Sequence, residues 1–249
     1  NVADFGAVGD GVTDDTAAFQ RAVSFAQAAN SSVMEIRLSS KAYNIVGTIV
    51  VNGGPVRFVG EGYLDFNNAR PTTRPTKGSW MLHSSPTGPL FQFNGDLGKC
   101  SGLTNIAIYE PGHAAPGAGW LPLVRDWVIR NENTALAVRP SYENITGQFF
   151  SRGFAFDEIY DLGKLEGVHA WTYWSEQTDV LLWQQANSVT VSILRVDGLW
   201  LDRIFAFAAN VAVYVGQGTA GTGKVIDIGG LYADFCGRGL VCEGIGTHV

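Results

Sequence analysis

The chain opens on Asp4-Phe5-Gly6-Ala7-Val8-Gly9-Asp10-Gly11-Val12-Thr13-Asp14-Asp15-Thr16 and runs directly into Ala17-Ala18-Phe19-Gln20. Gly6, Gly9 and Gly11 interrupt any regular element, so residues 1–13 read as tight turns. Asp14-Asp15-Thr16 then supplies helix-start chemistry: short polar side chains that accept from free N–H groups, with negative charge at the positive end of the helix dipole. Phe19, Ala22, Val23, Ala26 and Ala29 recur at helical spacing, and Asn30-Ser31-Ser32 ends the pattern. This is the one convincing amphipathic helix in the sequence, and its apolar stripe needs a surface to cover. The acids Asp10, Asp14 and Asp15 lack the alternating ligands of a calcium loop and read as turn and cap chemistry.

After residue 33 the chain changes character. Short β-branched or aromatic runs, among them Val33–Leu38, Tyr43–Val51, Val56–Val59, Thr104–Tyr109, Ser188–Val196, Val211–Val215 and Val225–Ile228, are separated by Gly, Asn, Asp and Ser. Aligning Ile106, Val128, Ile145, Val168, Val189, Val211 and Leu231 gives gaps of 22, 17, 23, 21, 22 and 20, with a mean of 21.5 from Ile145 onward. That beat is the length of one solenoid coil, not of a hairpin. A β-sandwich is the alternative, but Asn52-Gly53-Gly54 is the only tight-hairpin signal. The sequence thus predicts an all-β solenoid, a parallel β-helix, preceded by a capping helix. It predicts one domain over 1–249: turn and helix in 1–32, coils in 33–249, and inserted loops near 68–77 and 110–123. Nothing in the final residues reads as a terminal cap, so the natural chain is expected to continue past Val249.

The opening motif resembles the start of the pectate-lyase-like right-handed parallel β-helix superfamily, which phage tailspikes, capsule depolymerases, rhamnogalacturonases and fungal glucanases use. The stretch from Phe156 to Trp171 is also similar, more loosely, to a segment of phage tailspikes. The resemblance implies a right-handed winding, a helix plugging the first coil, and a parallel homotrimer. The residues themselves agree about the plug, since a stack of coils has an open apolar end that needs covering.

Composition narrows the function. A net charge of −6 on 249 residues argues against a nucleic-acid surface, which needs clustered cations. No apolar run approaches the roughly 18 residues of a membrane helix. Three Cys make no disulfide framework and no metal set, and neither a metal nor a cofactor is expected. Gly218-Thr219-Ala220-Gly221-Thr222-Gly223-Lys224 nearly spells a phosphate loop, but Val225 stands where a Ser or Thr hydroxyl is required, so it reads as a turn.

Stacked coils bring residues one period apart to about 4.8 Å from each other. Two carboxylate columns follow from the period: Asp157, Asp179 and Asp202, and Glu176 with Asp197. Neighbouring members would fall near the separation of retaining glycosidases, with repulsion raising one pKa to make an acid. The competing reading is that these acids bond local backbone in turns. In His169-Ala170-Trp171-Thr172-Tyr173-Trp174, alternation places His169, Trp171 and Tyr173 on one face, where aromatic rings suit the apolar faces of sugars or simply pack. Arg203, with Arg195 and Lys164, offers cations for a glycan or for a lyase reaction.

The expected function is binding and cleavage of bacterial surface polysaccharide by a tailspike-type depolymerase, displayed on a virion tail, through glycoside hydrolysis by paired carboxylates. The catalytic candidates are Asp157, Asp179, Asp202, Glu176 and Asp197. The substrate-binding candidates are His169, Trp171, Tyr173 and Arg203. The alternatives are a non-catalytic receptor-binding tail-fibre solenoid, and a secreted glucanase, pectinase or polysaccharide lyase.

Overall fold

The computed structural model describes residues 1–29, 34–63, 77–95, 101–132, 139–148, 151–171, 175, 177–223 and 225–243. Two parallel sheets carry the fold. The first, of eleven strands, has a main path through Asp10–Asp14, Ala42–Ile45, Trp80–His83, Gly102–Tyr109, Ser141–Gly147, Ile159–Ala170, Val196–Phe207 and Val225–Ile228. The second stacks seven strands, from Ile49–Asn52 through Phe91–Asn94, Ile129–Glu132, Arg152–Asp157, Val189–Ile193 and Val211–Val215 to Arg238–Cys242. From Phe91–Asn94 to Val211–Val215 the chain alternates between the sheets, so each pair of neighbouring strands within one sheet is joined there by a passage through the other. Parallel pairing demands such a crossover, and winding supplies it.

Inward side chains form columns along the axis. Leu103, Tyr142, Leu165, Leu201 and Ile228 pair in register on the first sheet. Phe91, Ile129, Phe154, Val191 and Val213 do so on the second. These columns meet in one apolar core, where each fully buried Phe or Leu contributes about 1.5–3 kcal/mol. Asn131 interrupts the column between Phe93 and Phe156. Its Oδ1 accepts from the Tyr142 hydroxyl across the core at 2.7 Å.

The helix α1, Thr16–Ala28, lays Phe19, Ala22, Val23 and Ala26 against the first coils. Phe19 meets the rings of Tyr43 and Phe58 at 5.3 and 6.2 Å. The acids before it divide the work differently from the sequence reading. Asp14 Oδ1 accepts from Thr16 N at 3.0 Å, which is local helix-start chemistry. Asp15, although the N-cap residue, makes no cap bond. Its buried carboxylate instead accepts from Val8 and Gly9 N–H at 2.7 and 3.1 Å. Gly9 has φ +66°, and a Cβ there would lie 2.7 Å from Lys41, so the glycine is needed.

Several expectations change. The uniform period does not hold: Ile106, Ile145, Val168 and Leu231 lie on the first sheet, whereas Val189 and Val211 lie on the second. The alignment mixed two strand positions of the coil. True spacings vary, with Ile145 paired to Val168 but Val168 paired to Ile204, 36 residues on. The surplus is a second helix, α2, Thr178–Asn187, which the sequence reading missed because Val180-Leu181-Leu182-Trp183 is a contiguous apolar run without a stripe. Tyr43–Val51 is two strands, Ala42–Ile45 and Ile49–Asn52, one in each sheet. Asn52-Gly53-Gly54 turns the chain from one sheet to the other and makes no hairpin. Residues 111–127 carry no strand, as expected of an insert; most of the 68–77 insert, and the last six residues, lie outside the described residues. Gln217–Gly218 and Gly221–Thr222 form a small antiparallel hairpin at the near-phosphate-loop sequence. No helix among the described residues is long and apolar enough to cross a membrane.

Candidate functional site

One five-residue pattern recurs on the first sheet: an outward residue, an inward apolar one, an outward acid, a left-handed residue, and an inward apolar one. It reads Ser141-Tyr142-Glu143-Asn144-Ile145, then Lys164-Leu165-Glu166-Gly167-Val168, then Trp200-Leu201-Asp202-Arg203-Ile204. The left-handed residue lets two apolar side chains three apart both face the core, and it bends the sheet. Asn144, Gly167 and Arg203 have φ of 52°, 65° and 52°, continuing a corner begun by Asn105 at 58°. Asn and Gly tolerate this region, whereas an Arg there carries strain of order 1 kcal/mol.

The pattern stacks two outward rows. One is Ser141, Lys164, Trp200 and Asp227; the other is Glu143, Glu166 and Asp202. Lys164 and Arg203 both pair with Glu166. Lys164 also lies 3.7 Å from Glu143, which accepts from Arg57 at 3.2 Å, and Arg203 lies 3.6 Å from Asp202. The Lys164 hydrogen bond, with that of Arg203, holds the Glu166 carboxyl below the usual range. The same bond pushes the Lys164 ammonium up. Glu166 is therefore a fixed anion at neutral pH. A pocket of about 350 Å³ opens over these rows, lined by Lys164, Glu166, Trp200, Asp202 and Asp227. Trp200 is 54% exposed and has no ring partner among the described residues. Asp227 is exposed there and makes no ion pair among the described residues.

The predicted carboxylates do not form the predicted columns. Asp157 ends a strand of the second sheet, and its Oδ1 accepts from Glu158 N and Arg195 N at 3.0 and 3.2 Å. Asp179 lies on α2 and accepts from Gly117 N at 2.5 Å. Asp197 pairs with Arg195 at 3.0 Å. Only Asp202 reaches the pocket, with Arg203 at its rim; its column partners are Glu166 and Glu143. Glu176 and Tyr173 lie outside the described residues. His169 and Trp171 do share an outward side, but their rings stack along the axis. Trp171 lies 4.8 Å from Phe207 at an interplanar angle of 8°, Phe207 lies 6.0 Å from Phe235, and His169 lies 4.8 Å from Phe205. Ring faces turned toward each other leave mainly edges outward, a poor platform for a sugar.

The sequence reading also passed over a buried polar cluster beneath the insert. Glu110 lies 3.9 Å from both His83 Nδ1 and His113 Nε2, with all three side chains sealed from solvent. Burial, aided by Arg125, brings the His113 pKa down to about 3, so that ring is neutral. The cluster is closed to any chain-like substrate and ties the insert to the coil. Among the described residues no group of three His, Cys, Asp or Glu side chains is arranged to hold a metal.

Residues 1–88 match the family described as rhamnogalacturonase A/epimerase, pectate lyase-like, in keeping with the resemblance of the opening motif. No curated protein matches the chain. Among solved structures, ORF18 of Geobacillus virus E2 aligns at 18% identity and TM-score 0.40, covering 99% of this chain and 41% of that one. The A-module of the Azotobacter vinelandii mannuronan C-5 epimerase AlgE4 aligns at 12% identity and TM-score 0.29, covering 100% of this chain and 99% of that one. The phiAB6 tailspike, solved with oligosaccharides of Acinetobacter baumannii surface polysaccharide, aligns at 14% identity and TM-score 0.29, covering 94% of this chain and 47% of that one. The chain thus spans under half the length of the first of these.

Proposed function

We propose that the chain binds bacterial surface polysaccharide through the pocket around Trp200, as one right-handed β-helix domain of a homotrimeric tailspike on a virion tail. The observation that carries the reading is the pocket itself. It offers a half-exposed indole, without a ring partner among the described residues, for the apolar side of a pyranose. Beside it stand carboxylates that accept from sugar hydroxyls, and Lys164 as a donor. The opening motif and the family match over residues 1–88 support a polysaccharide-directed superfamily. The same resemblance supports the seal that α1 makes over the first coil.

Hydrolysis of the bound glycan is a second reading, favoured by one observation. Glu166 and Asp202 sit on adjacent strands in register, about 4.8 Å apart by strand spacing, close to the retaining distance. Glu166, held ionised, suits the nucleophile of such a pair. Asp157, Asp179 and Asp197 are engaged by backbone or by Arg195, which counts against catalysis by those carboxylates and favours a protein that only binds. The test is to incubate the protein with capsule and lipopolysaccharide panels and to measure retention and release of reducing ends. Retention lost in Trp200→Ala supports the site. Retention that survives it, or no retention of any polysaccharide, overturns the reading. Reducing-end release abolished by Glu166→Gln supports hydrolysis, an unsaturated product indicates a lyase, and retention without release leaves a binding protein.

A further inference from the structure

Resting on that glycan-binding reading, we infer that the pocket selects a sugar bearing a free, positively charged amino group and disfavours uronates. Trp200 and Asp227 are direct neighbours in the register of adjacent strands and point to the same side. An indole face attracts a cation through the ring quadrupole, and a carboxylate one strand away adds a charge-assisted hydrogen bond. Both groups are available: the indole lacks a ring partner, and Asp227 pairs with no cation among the described residues.

The rest of the lining leaves that charge unopposed. Glu166 and Asp202 around the same opening are matched by Lys164 and Arg203, so Asp227 is the lining acid without a cation among the described residues. The cations nearby are already committed, since Lys164 and Arg203 both engage Glu166. A uronate would bring its charge against Asp227, with no uncommitted cation in the pocket lining among the described residues. An N-acetylated sugar would keep the contact with Trp200 and lose the charge. An ammonium set over Trp200 and against Asp227 gains from both.

Calorimetric titration of the full chain with three probes tests this: tetrasaccharides of glucosamine, of N-acetylglucosamine and of galacturonic acid. The buffer is mildly acidic and low in salt, so that the sugar amine is charged. The glucosamine tetramer is expected to bind about tenfold more tightly than its N-acetylated counterpart, with galacturonate weakest and the preference narrowing as salt is added. Asp227→Asn is expected to erase the preference. Glu35→Gln, which removes one negative charge remote from the pocket, is expected to preserve it. Equal or inverted affinities, a preference that survives Asp227→Asn, or retention of a polysaccharide without binding of the amino tetramer overturns the selectivity and leaves the glycan-binding reading intact. The ligand comparison needs no variant, so a misfolded substitution does not decide it. Failure of every probe and every polysaccharide to bind overturns both.

Discussion

Replacing Tyr142 by Phe tests how the two sheets are tied together. The Tyr142 hydroxyl donates to Asn131 Oδ1 at 2.7 Å, and both residues are buried, at 0% and 1% exposure. Burial pushes the phenol pKa far up, so the group remains a neutral donor at every working pH. The Asn131 Nδ2 has no partner among the described residues, so the amide already carries an uncompensated donor. Tyr142→Phe strips Oδ1 of its donor as well and is expected to cost about 1–3 kcal/mol. Asn131→Leu leaves the phenol O–H without its acceptor and is expected to cost a similar amount, though it also removes the lone Nδ2. The double variant turns both ends apolar with similar shapes and is expected to lie within about 1 kcal/mol of wild type. The coupling, the sum of the two single losses less that of the double, is then at least about 1 kcal/mol. Urea and thermal unfolding followed by circular dichroism read these values, at about 2–4 °C per kcal/mol for a chain of this size. A double variant that loses the sum of the two single losses would refute the cross-core tie.

Asp15→Ala orphans the Val8 and Gly9 N–H groups; an unfolding loss of about 1–3 kcal/mol with faster hydrogen exchange at those two amides is expected, and unchanged exchange counts against the assignment. Glu166 has a folded pKa below its ordinary value of 4.5, so its contribution to stability is fully present above that value and is lost as pH falls through the folded one. The stability difference between wild type and Glu166→Gln should therefore be flat at neutral pH and shrink on acidification; a difference that grows in acid contradicts the ion pairs.

The strands were legible because β-branched runs sat between turn formers: Val211–Val215 and Val225–Ile228 form as read. The helix over the first coil was legible because Phe19, Ala22, Val23 and Ala26 make a stripe. The coil period was not, because each turn places a strand in both sheets and hangs a different excess on its flank. A fixed offset from Asp202 leads to Asp179, which α2 carries away, whereas the register leads to Glu166, 36 residues back. Asp202 and Arg203 were found as residues without their neighbours. The signal that finds the neighbours is local: the motif Lys164-Leu165-Glu166-Gly167-Val168 and its echo Trp200-Leu201-Asp202-Arg203-Ile204 share an acid before a left-handed corner. Asp227-Ile228-Gly229-Gly230-Leu231 repeats the frame with glycine in the acid's place.

Backbone pairing alone sets the pitch of this molecule, and the length of each turn does not enter. The step from Ile145 to Val168 and the longer step from Val168 to Ile204 each climb a single rung. Lateral ornament and axial scale are thus separate variables. A segment as large as α2 can be exchanged on the flank while Lys164, Trp200 and Asp227, on three successive rungs, stay in line. Such a scaffold can change what it recognises by two independent routes, substitution along an outward file or replacement of a side ornament, without re-gauging the ruler on which both are mounted.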